Sequence, residues 1–325
     1  MTTSPSPSPT GSPLPSAPVG TSPLTRPVVL GAGPVGRAIV DRLVDRGLTP
    51  TVVTRSGTAV DGAKAAAIDV ADTPSLAAAL APADAVFHAV MPPYSRWPEL
   101  FPPFQAAIVR ACEQSGGVLV SAENLYGYGT PGVPITEQLP LAPTTTKGRV
   151  RAELWRALAA AHEEGAIRAA AVRASDFFGP GVIASAYGES VFGRLAAGKK
   201  AQVLGDPGTR HSITYVPDYA EALVRVAERP ATWGRAWIAP TAPAVAQAEV
   251  VAIAAEALGV DPGIQRISRA MLRLAGLFNA DVRETVEMFP EFTHDFVVDS
   301  AAAEAALDLA PTDLETAIAH TAGCH

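Results

Sequence analysis

The sequence predicts an α/β protein built on a doubly wound parallel sheet, with a smaller α+β domain towards its C-terminus. Three observations predict it. Short apolar strands alternate with helical repeats along the first half of the chain, the signature of parallel strands joined by crossover helices. The first strand, Pro27-Val-Val-Leu30, runs straight into Gly31-x-Gly33-x-x-Gly36 and then into a helix with apolar repeats at Val35, Ile39 and Leu43 and at Val40 and Val44. A length of 325 residues suffices for one large α/β domain with a companion.

Taken in order, residues 1 to 25 are rich in Ser, Pro and Thr and have too little to bury to recover the entropy of ordering, which predicts a disordered leader. In the glycine turn, the first glycine allows a tight bend and the second lets backbone N–H groups approach a pyrophosphate. The third lets the helix pack on the strand with its positive end aimed at the phosphates. A strand before and a helix after are the context this motif requires. Gly31, Gly33, Pro34, Val35 and Gly36 are therefore candidate cofactor-binding residues. The second strand, Thr51–Thr54, ends at Arg55-Ser56-Gly57. The acid that would hold the ribose 2′-hydroxyl of NAD is missing, and Arg55 suits the 2′-phosphate of NADP instead. NADP(H) is the expected cofactor and NAD(H) the alternative.

Ala65–Ile68 reads as a third strand with Asp69 and Val70 in the turn behind it, and Ser75–Leu80 as a helix. A fourth strand, Ala85–Val90, carries His88, Ala89 and Val90 to the C-terminal edge of the sheet, and a loop follows from Met91 to Pro103. Loops at that edge line the ligand crevice, so Tyr94, Arg96 and Trp97 are candidate pocket residues. A helix from Gln105 to Gln114 precedes a fifth strand, Gly117–Ser121, opening into Ala122-Glu-Asn-Leu-Tyr126-Gly127. Pro143–Arg151 leads into a long helix reaching about Glu164, and the strand Ala169–Arg173 feeds Ala-Ser-Asp176-Phe177-Phe178-Gly179-Pro180-Gly181.

Composition narrows the function. Charged residues make up 18% of the chain, the net charge is −7, and no basic cluster exceeds Lys199-Lys200, which argues against a nucleic-acid ligand. No apolar run approaches the roughly 20 residues of a membrane helix, and the N-terminus lacks a signal-peptide pattern. Cys112 and Cys324 are far apart with no Cys/His spacing, so neither a disulfide nor a metal site is expected. The chain reads as cytoplasmic.

Several separated blocks together resemble the extended, atypical short-chain dehydrogenase/reductases, the NAD-dependent epimerase/dehydratase group. They are the glycine turn, Ala85–Val90, Ser121 with Tyr126-Gly127, Arg173 with Phe178–Gly181, Gly205-Asp206, Tyr215-Val-Pro-Asp218, and Val298-Asp-Ser300 with Pro311-Thr312. The resemblance spans Arg26 to Thr321. It implies a Rossmann-type domain over residues 26–180 and a mainly substrate-binding domain over 181–325, from which 213–239 and 298–325 return to the Rossmann domain. It also implies a homodimer face on the helices Phe104–Gln114 and Thr145–Glu164, and places Ser121 and His88 near the cofactor. One departure is that the usual Gly-x-x-Gly-x-x-Gly has Leu30 at its first position, with Gly31 beside it.

The chemistry departs further. Family members transfer hydride with a Ser/Thr, a Tyr and a Lys, the lysine lowering the tyrosine pKa. None of the six tyrosines here has a lysine four residues on. The family's Pro-x-x-x-Tyr-Gly-x-x-Lys aligns with Pro143-x-x-x-Lys147-Gly148-x-x-Arg151, and the hydroxyl position falls on Ala122. An arginine can anchor ribose hydroxyls and keep a nearby Lys147 partly neutral, which makes Lys147 a candidate acid or base that also touches cofactor. Glu123 stands where related sugar dehydratases carry a catalytic acid, and Tyr126 could supply a phenol. Nucleotide-sugar members place an asparagine and an arginine for the substrate diphosphate where this chain has Asp176 and His211. With Tyr94, Trp97, Ala122 and Phe177, these form the candidate substrate set, and the diphosphate is disfavoured.

The expected function is an NADP(H)-dependent oxidoreductase acting on a small organic molecule without the Ser-Tyr-Lys triad. A non-redox isomerase, dehydratase or cyclase on the same scaffold is the alternative, as is a non-catalytic NADP(H)-sensing protein.

Overall fold

The computed structural model describes residues 20–325. β1 (Pro27–Leu30) is buried along its length and turns through Gly31 into α1 (Pro34–Val44), where Pro34 occupies the first turn and its missing N–H costs no intrahelical bond. β2 (Thr51–Thr54) and β3 (Lys64–Ala67) follow, and then α2 (Thr73–Leu80), which Asp72 caps by accepting the Ser75 N–H. Next come β4 (Ala85–His88), α3 (Trp97–Cys112), β5 (Val118–Asn124), α4 (Thr146–Glu163), whose Thr145 cap accepts the Gly148 N–H, and β6 (Arg168–Ala174).

A last strand, Ala236–Ile238, completes a seven-stranded sheet in the order β3-β2-β1-β4-β5-β6 with that strand outside β6. All its pairings are parallel. The winding direction reverses between β1 and β4, whose register pairs Leu30 with His88, so a crevice opens beyond their C-terminal ends. The fold class is the one predicted. α1 and the helix Val216–Glu228 cover one face, burying Ile39, Leu43, Leu223 and Val224 with Val29, Val52 and Phe87. α2, α3 and α4 cover the other, around Leu76, Ile108, Leu119 and Leu158.

Some boundaries differ from expectation. Residues 1–19 of the expected leader lie outside the described residues, but its end is packed: Leu24 is buried, and Asp84 Oδ2 accepts from the backbone N–H groups of Thr25 and Arg26 at 2.5 and 2.9 Å. The folded chain therefore begins before residue 25. The expected loop Met91–Pro103 is largely helix, because the apolar repeat Trp97, Phe101, Phe104 and Ile108 runs through Pro102 and Pro103, Trp97 and Phe101 packing with Val150 and Leu154 and Phe104 and Ile108 with the core under the sheet. β5 runs three residues past Ser121, pairing Glu123 with Arg173.

The smaller unit holds parallel strand pairs, Asp176–Phe178 with Ile213–Tyr215 and Ala201–Leu204 with Ile264–Ile267, over a core of Phe178, Phe192, Val251 and Ile318. Of residues 298–325, the helix Ala301–Leu307 packs on the large sheet's layer, with Ala303 and Leu307 in its core. The helix Leu314–Ala322 does not: its small side chains Ala317 and Ala322 fit against Ala254 and Ala255 in the smaller unit. Residues 279–292 reach back to the sheet's C-terminal edge. There Asp281 accepts the Ser95 N–H at 3.1 Å and Glu287 accepts the N–H groups of Thr146 and Lys147 at 2.8 and 3.2 Å.

Candidate active site

A cavity of about 700 Å³ runs from the glycine turn to the gap between the C-terminal ends of β5 and β6 and the smaller unit. At its first end the three glycines have separate physical reasons. Gly31 adopts φ +104°, and a Cβ there would meet the Ala89 carbonyl oxygen at 2.9 Å. On Gly36 a Cβ would meet the Gly31 carbonyl oxygen at 2.1 Å. Gly33 meets nothing within 4 Å and faces the cavity. The fold itself needs the outer two, and the middle one leaves a bare cradle at the N-terminus of α1 that suits a pyrophosphate.

Pro34, Val35, Arg55, Asp69, Val70, Ala89 and Val90 line this end with Gly31 and Gly33. Gly36 lies beneath it. Ser56 is exposed outside the lining, its hydroxyl 2.9 Å from Thr58 Oγ1. His88 and Ser121 are buried below the cavity floor and do not line it. Desolvation, and then repulsion from Arg151, push the His88 pKa down to about 3, so His88 is a neutral packing residue set edge-on to Phe101.

At the far end Tyr94, Trp97, Ala122, Glu123, Tyr126, Arg151, Asp176 and Phe177 converge, joined by Glu291 and Phe296 from the smaller unit. Lys147 is not among them. Its ammonium is fully buried beneath residues 279–292, where Glu284 takes it at 2.6 Å and Glu287 at 3.3 Å, and it lies 4.4 Å from the Tyr94 ring centre. Two carboxylates hold it away from the crevice, which corrects its expected place as acid, base and cofactor contact. The Arg151 guanidinium stacks on Trp97 and Phe101 at 4.6 and 4.5 Å, and its Nε is buried with no hydrogen-bond partner. Burial pushes its pKa down, with the Glu123 charge opposing.

Glu123 is buried and paired through Oε2 with Arg173 Nε at 3.2 Å, and Arg173 also donates to the Tyr128 hydroxyl at 2.7 Å. Its Oε1 has no partner. Tyr126 keeps its proton tightly, since burial first and the Tyr94 hydroxyl next raise its pKa well above the usual value; burial does the same to Tyr94. Neither is an activated phenol. Asp176 and His211, the two positions unsuited to a diphosphate, bond to each other, with His211 Nε2 2.9 Å from Asp176 Oδ2. His211 does not line the cavity but is stacked between Phe292 and Phe296 behind Asp176. Arg210, the neighbouring cation, binds Asp295 at 2.7 Å on the surface.

The sequence reading missed Glu291, which is only 4% exposed, lines the cavity and leaves Oε1 unpartnered. Its signal was a lone carboxyl between aromatics in Phe289-Pro-Glu-Phe292. Among the described residues no group of three or more His, Cys, Asp or Glu side chains could hold a metal ion, and no helix is long and apolar enough to cross a membrane.

A family model described as NAD dependent epimerase/dehydratase matches residues 28–237. Among solved structures, UDP-glucuronic acid 4-epimerase from Bacillus cereus, in complex with UDP-glucuronic acid and NAD, superposes with a TM-score of 0.75 at 14% identity, over 92% of this chain and 98% of that one. UDP-glucose 4-epimerase from Thermus thermophilus in complex with NAD gives 0.73 at 20% identity, over 92% and 98%. An epimerase-like structure from Burkholderia cenocepacia gives 0.73 at 16%, over 92% and 97%. At these identities the likeness is one of fold. No curated protein matches the chain.

Proposed function

We propose, from the premise that this chain belongs to the NAD-dependent epimerase/dehydratase family, that it binds NADP(H) in preference to NAD(H) and uses it to oxidise or reduce a small, weakly charged organic molecule. The observation that carries this reading is one continuous cavity. At one end it presents the bare Gly33 cradle with Arg55 at its rim, and at the other a tight set of ionisable side chains that includes Asp176, while Arg210 lies outside on the surface, bound to Asp295. Arg55 is exposed, as an arginine meeting a 2′-phosphate must be, and the position that would carry the competing acid is empty of one. The nicotinamide, when bound, supplies or accepts a hydride.

The chain's own residues then bind and orient. Gly31–Val35 would hold the pyrophosphate, and the Arg151 guanidinium, with its unpartnered Nε, would anchor a hydroxyl of the cofactor or substrate. Trp97 and Phe101 hold that guanidinium in place and exclude water behind it. Asp176 repels a diphosphate, so UDP-sugars, which the structurally similar epimerases bind, fit this site poorly. Dimerisation through α3 and α4, which pack side by side around Gln105 and Leu154, belongs to the same reading.

The test begins with the nucleotide that copurifies, followed by fluorescence titrations with NADPH and NADH. NADPH should bind at least tenfold more tightly, and Arg55→Ala should remove most of that ratio, since one charged contact to phosphate contributes about 1.5–3 kcal/mol. Equal affinities would overturn the NADP(H) preference, and no binding of either would overturn the whole reading. Oxidation of NADPH on a panel of aldehydes and ketones then identifies the reaction. A second reading, isomerisation or elimination with no net cofactor change, rests on the free Oε1 of Glu123 beside the cavity, and product formation at constant NADPH would establish it.

A further inference from the structure

The site as described lacks a group that can hand over a proton. The phenols of Tyr94 and Tyr126 are held protonated by burial. Lys147 is spent on Glu284 and Glu287, and Glu123 is tied to Arg173. One carboxyl at the substrate end is bound to nothing. Glu291 comes from the smaller unit on the short 3-10 turn Phe289–Phe292, is buried, and lines the cavity together with residues of β5 and β6. Its Oε1 is buried with no partner, and none of the ion pairs formed by Arg173 or Lys147 involves it.

We propose that Glu291 is the acid and base of this site, passing a proton to and from the reacting oxygen of the substrate. The proposal rests on the oxidoreductase reading above and deepens it, since it assigns the step that the missing Tyr-Lys pair performs in relatives. When a carbonyl carbon gains a hydride, its oxygen needs one proton. The new O–H bond forms as the O–H bond of Glu291 breaks, leaving an alcohol and a carboxylate, and a solvent proton, the one proton the net reduction consumes, restores that carboxylate after product leaves. In the oxidising direction the carboxylate takes the hydroxyl proton as the hydride leaves.

The surroundings fit that duty. Burial, and then the charge of Asp176, which lines the same cavity and is bonded by His211, both disfavour a carboxylate at Glu291, so its pKa stands well above 4.5. Of the other titratable groups at this end of the cavity, Tyr94 and Tyr126 stay neutral, Glu123 is paired with Arg173, and Arg151 is stacked on Trp97 and Phe101. Two carboxyls of unlike environment then divide the work: Asp176, bonded to His211, faces the substrate as a hydrogen-bond acceptor, and the unpartnered Glu291 supplies the proton. A substrate that bonds to both presents one hydrogen-bond acceptor, the carbonyl, and one donor, a neighbouring hydroxyl or amine, as in a hydroxy-ketone or amino-ketone.

The experiment compares the full-length parent with Glu291→Gln. Infrared difference spectra at neutral pH should show the carbonyl stretch of a protonated carboxylic acid in the parent and its loss in the variant. The folded parent holds a proton that its unfolded chain releases above pH 4.5. The cost of that proton grows with pH, so the variant should melt higher than the parent by a margin that widens as pH rises from 4.5. NADPH titration should be unchanged, while turnover on hydroxy- and amino-ketones falls at least a hundredfold and Glu291→Asp recovers part of it. A protonated-carboxyl band that persists in Glu291→Gln, or parental turnover in that variant, overturns the proposal. If no ketone reacts with the parent, the band and the melting series decide. Loss of NADPH binding in the parent itself, by contrast, overturns the cofactor reading while leaving the infrared result to stand.

Discussion

A single absent side chain separates two kinds of glycine at the head of this fold. Gly36 is bare because a Cβ would sit 2.1 Å from the Gly31 carbonyl oxygen, whereas Gly33 is bare with open space before it. Gly36→Ala should therefore destabilise the protein by about 1–3 kcal/mol in urea unfolding, as overpacking does. Gly33→Ala should leave the unfolding midpoint nearly unmoved and weaken nucleotide binding at least tenfold, because the methyl occupies the place where a phosphate approaches. Both glycines were legible in the sequence as one motif, but the division of labour between them was not. Motif spacing records that a side chain is missing, and only the neighbouring backbone shows what would have collided with it. The same limit applied to Lys147, whose place in the sequence suggested a catalytic role while its side chain turned towards carboxylates more than a hundred residues away in sequence.

At the scale of elements, periodicity gave the strands and helices and failed where packing overrode local signals. The glycine turn and β2 lie where their apolar patterns put them and β4 ends at His88, two residues early, whereas Pro102 and Pro103 suggested a loop inside what is α3. The overrun of β5 matters most for function, since it carries Glu123 into register with Arg173 on β6 and buries the pair. A buried charge that loses its partner is costly, while replacing both partners is not. Arg173→Met should lower the unfolding free energy by about 3–5 kcal/mol, and the double variant with Glu123→Gln should recover most of that loss. Additivity of the two single changes would show that the pair is not coupled.

For the whole molecule, residues 279–292 join the two units over the site. Asp281 receives the Ser95 N–H, and Glu287 receives the N–H groups at the start of α4, so one segment both caps a helix of the large unit and carries Glu291 into the cavity. Glu287→Ala should speed deuterium exchange at the amides of residues 146 and 147 at least tenfold while β1 and β4 stay as protected as in the parent. Unchanged exchange there would mean that the segment does not fasten the units together.

From its order of residues alone this chain determined a doubly wound parallel sheet, a glycine turn of the dinucleotide-binding type and a family, because each of these is written in contacts between near neighbours or in the period of apolar side chains. The tertiary structure alone decided which charged groups meet. Lys147 is neutralised from the smaller unit, Asp176 is joined to His211, and Glu291 is delivered unpaired into the cavity. Charge and burial act through space, over distances that bear no relation to separation along the chain, and the chemistry of the site follows from them.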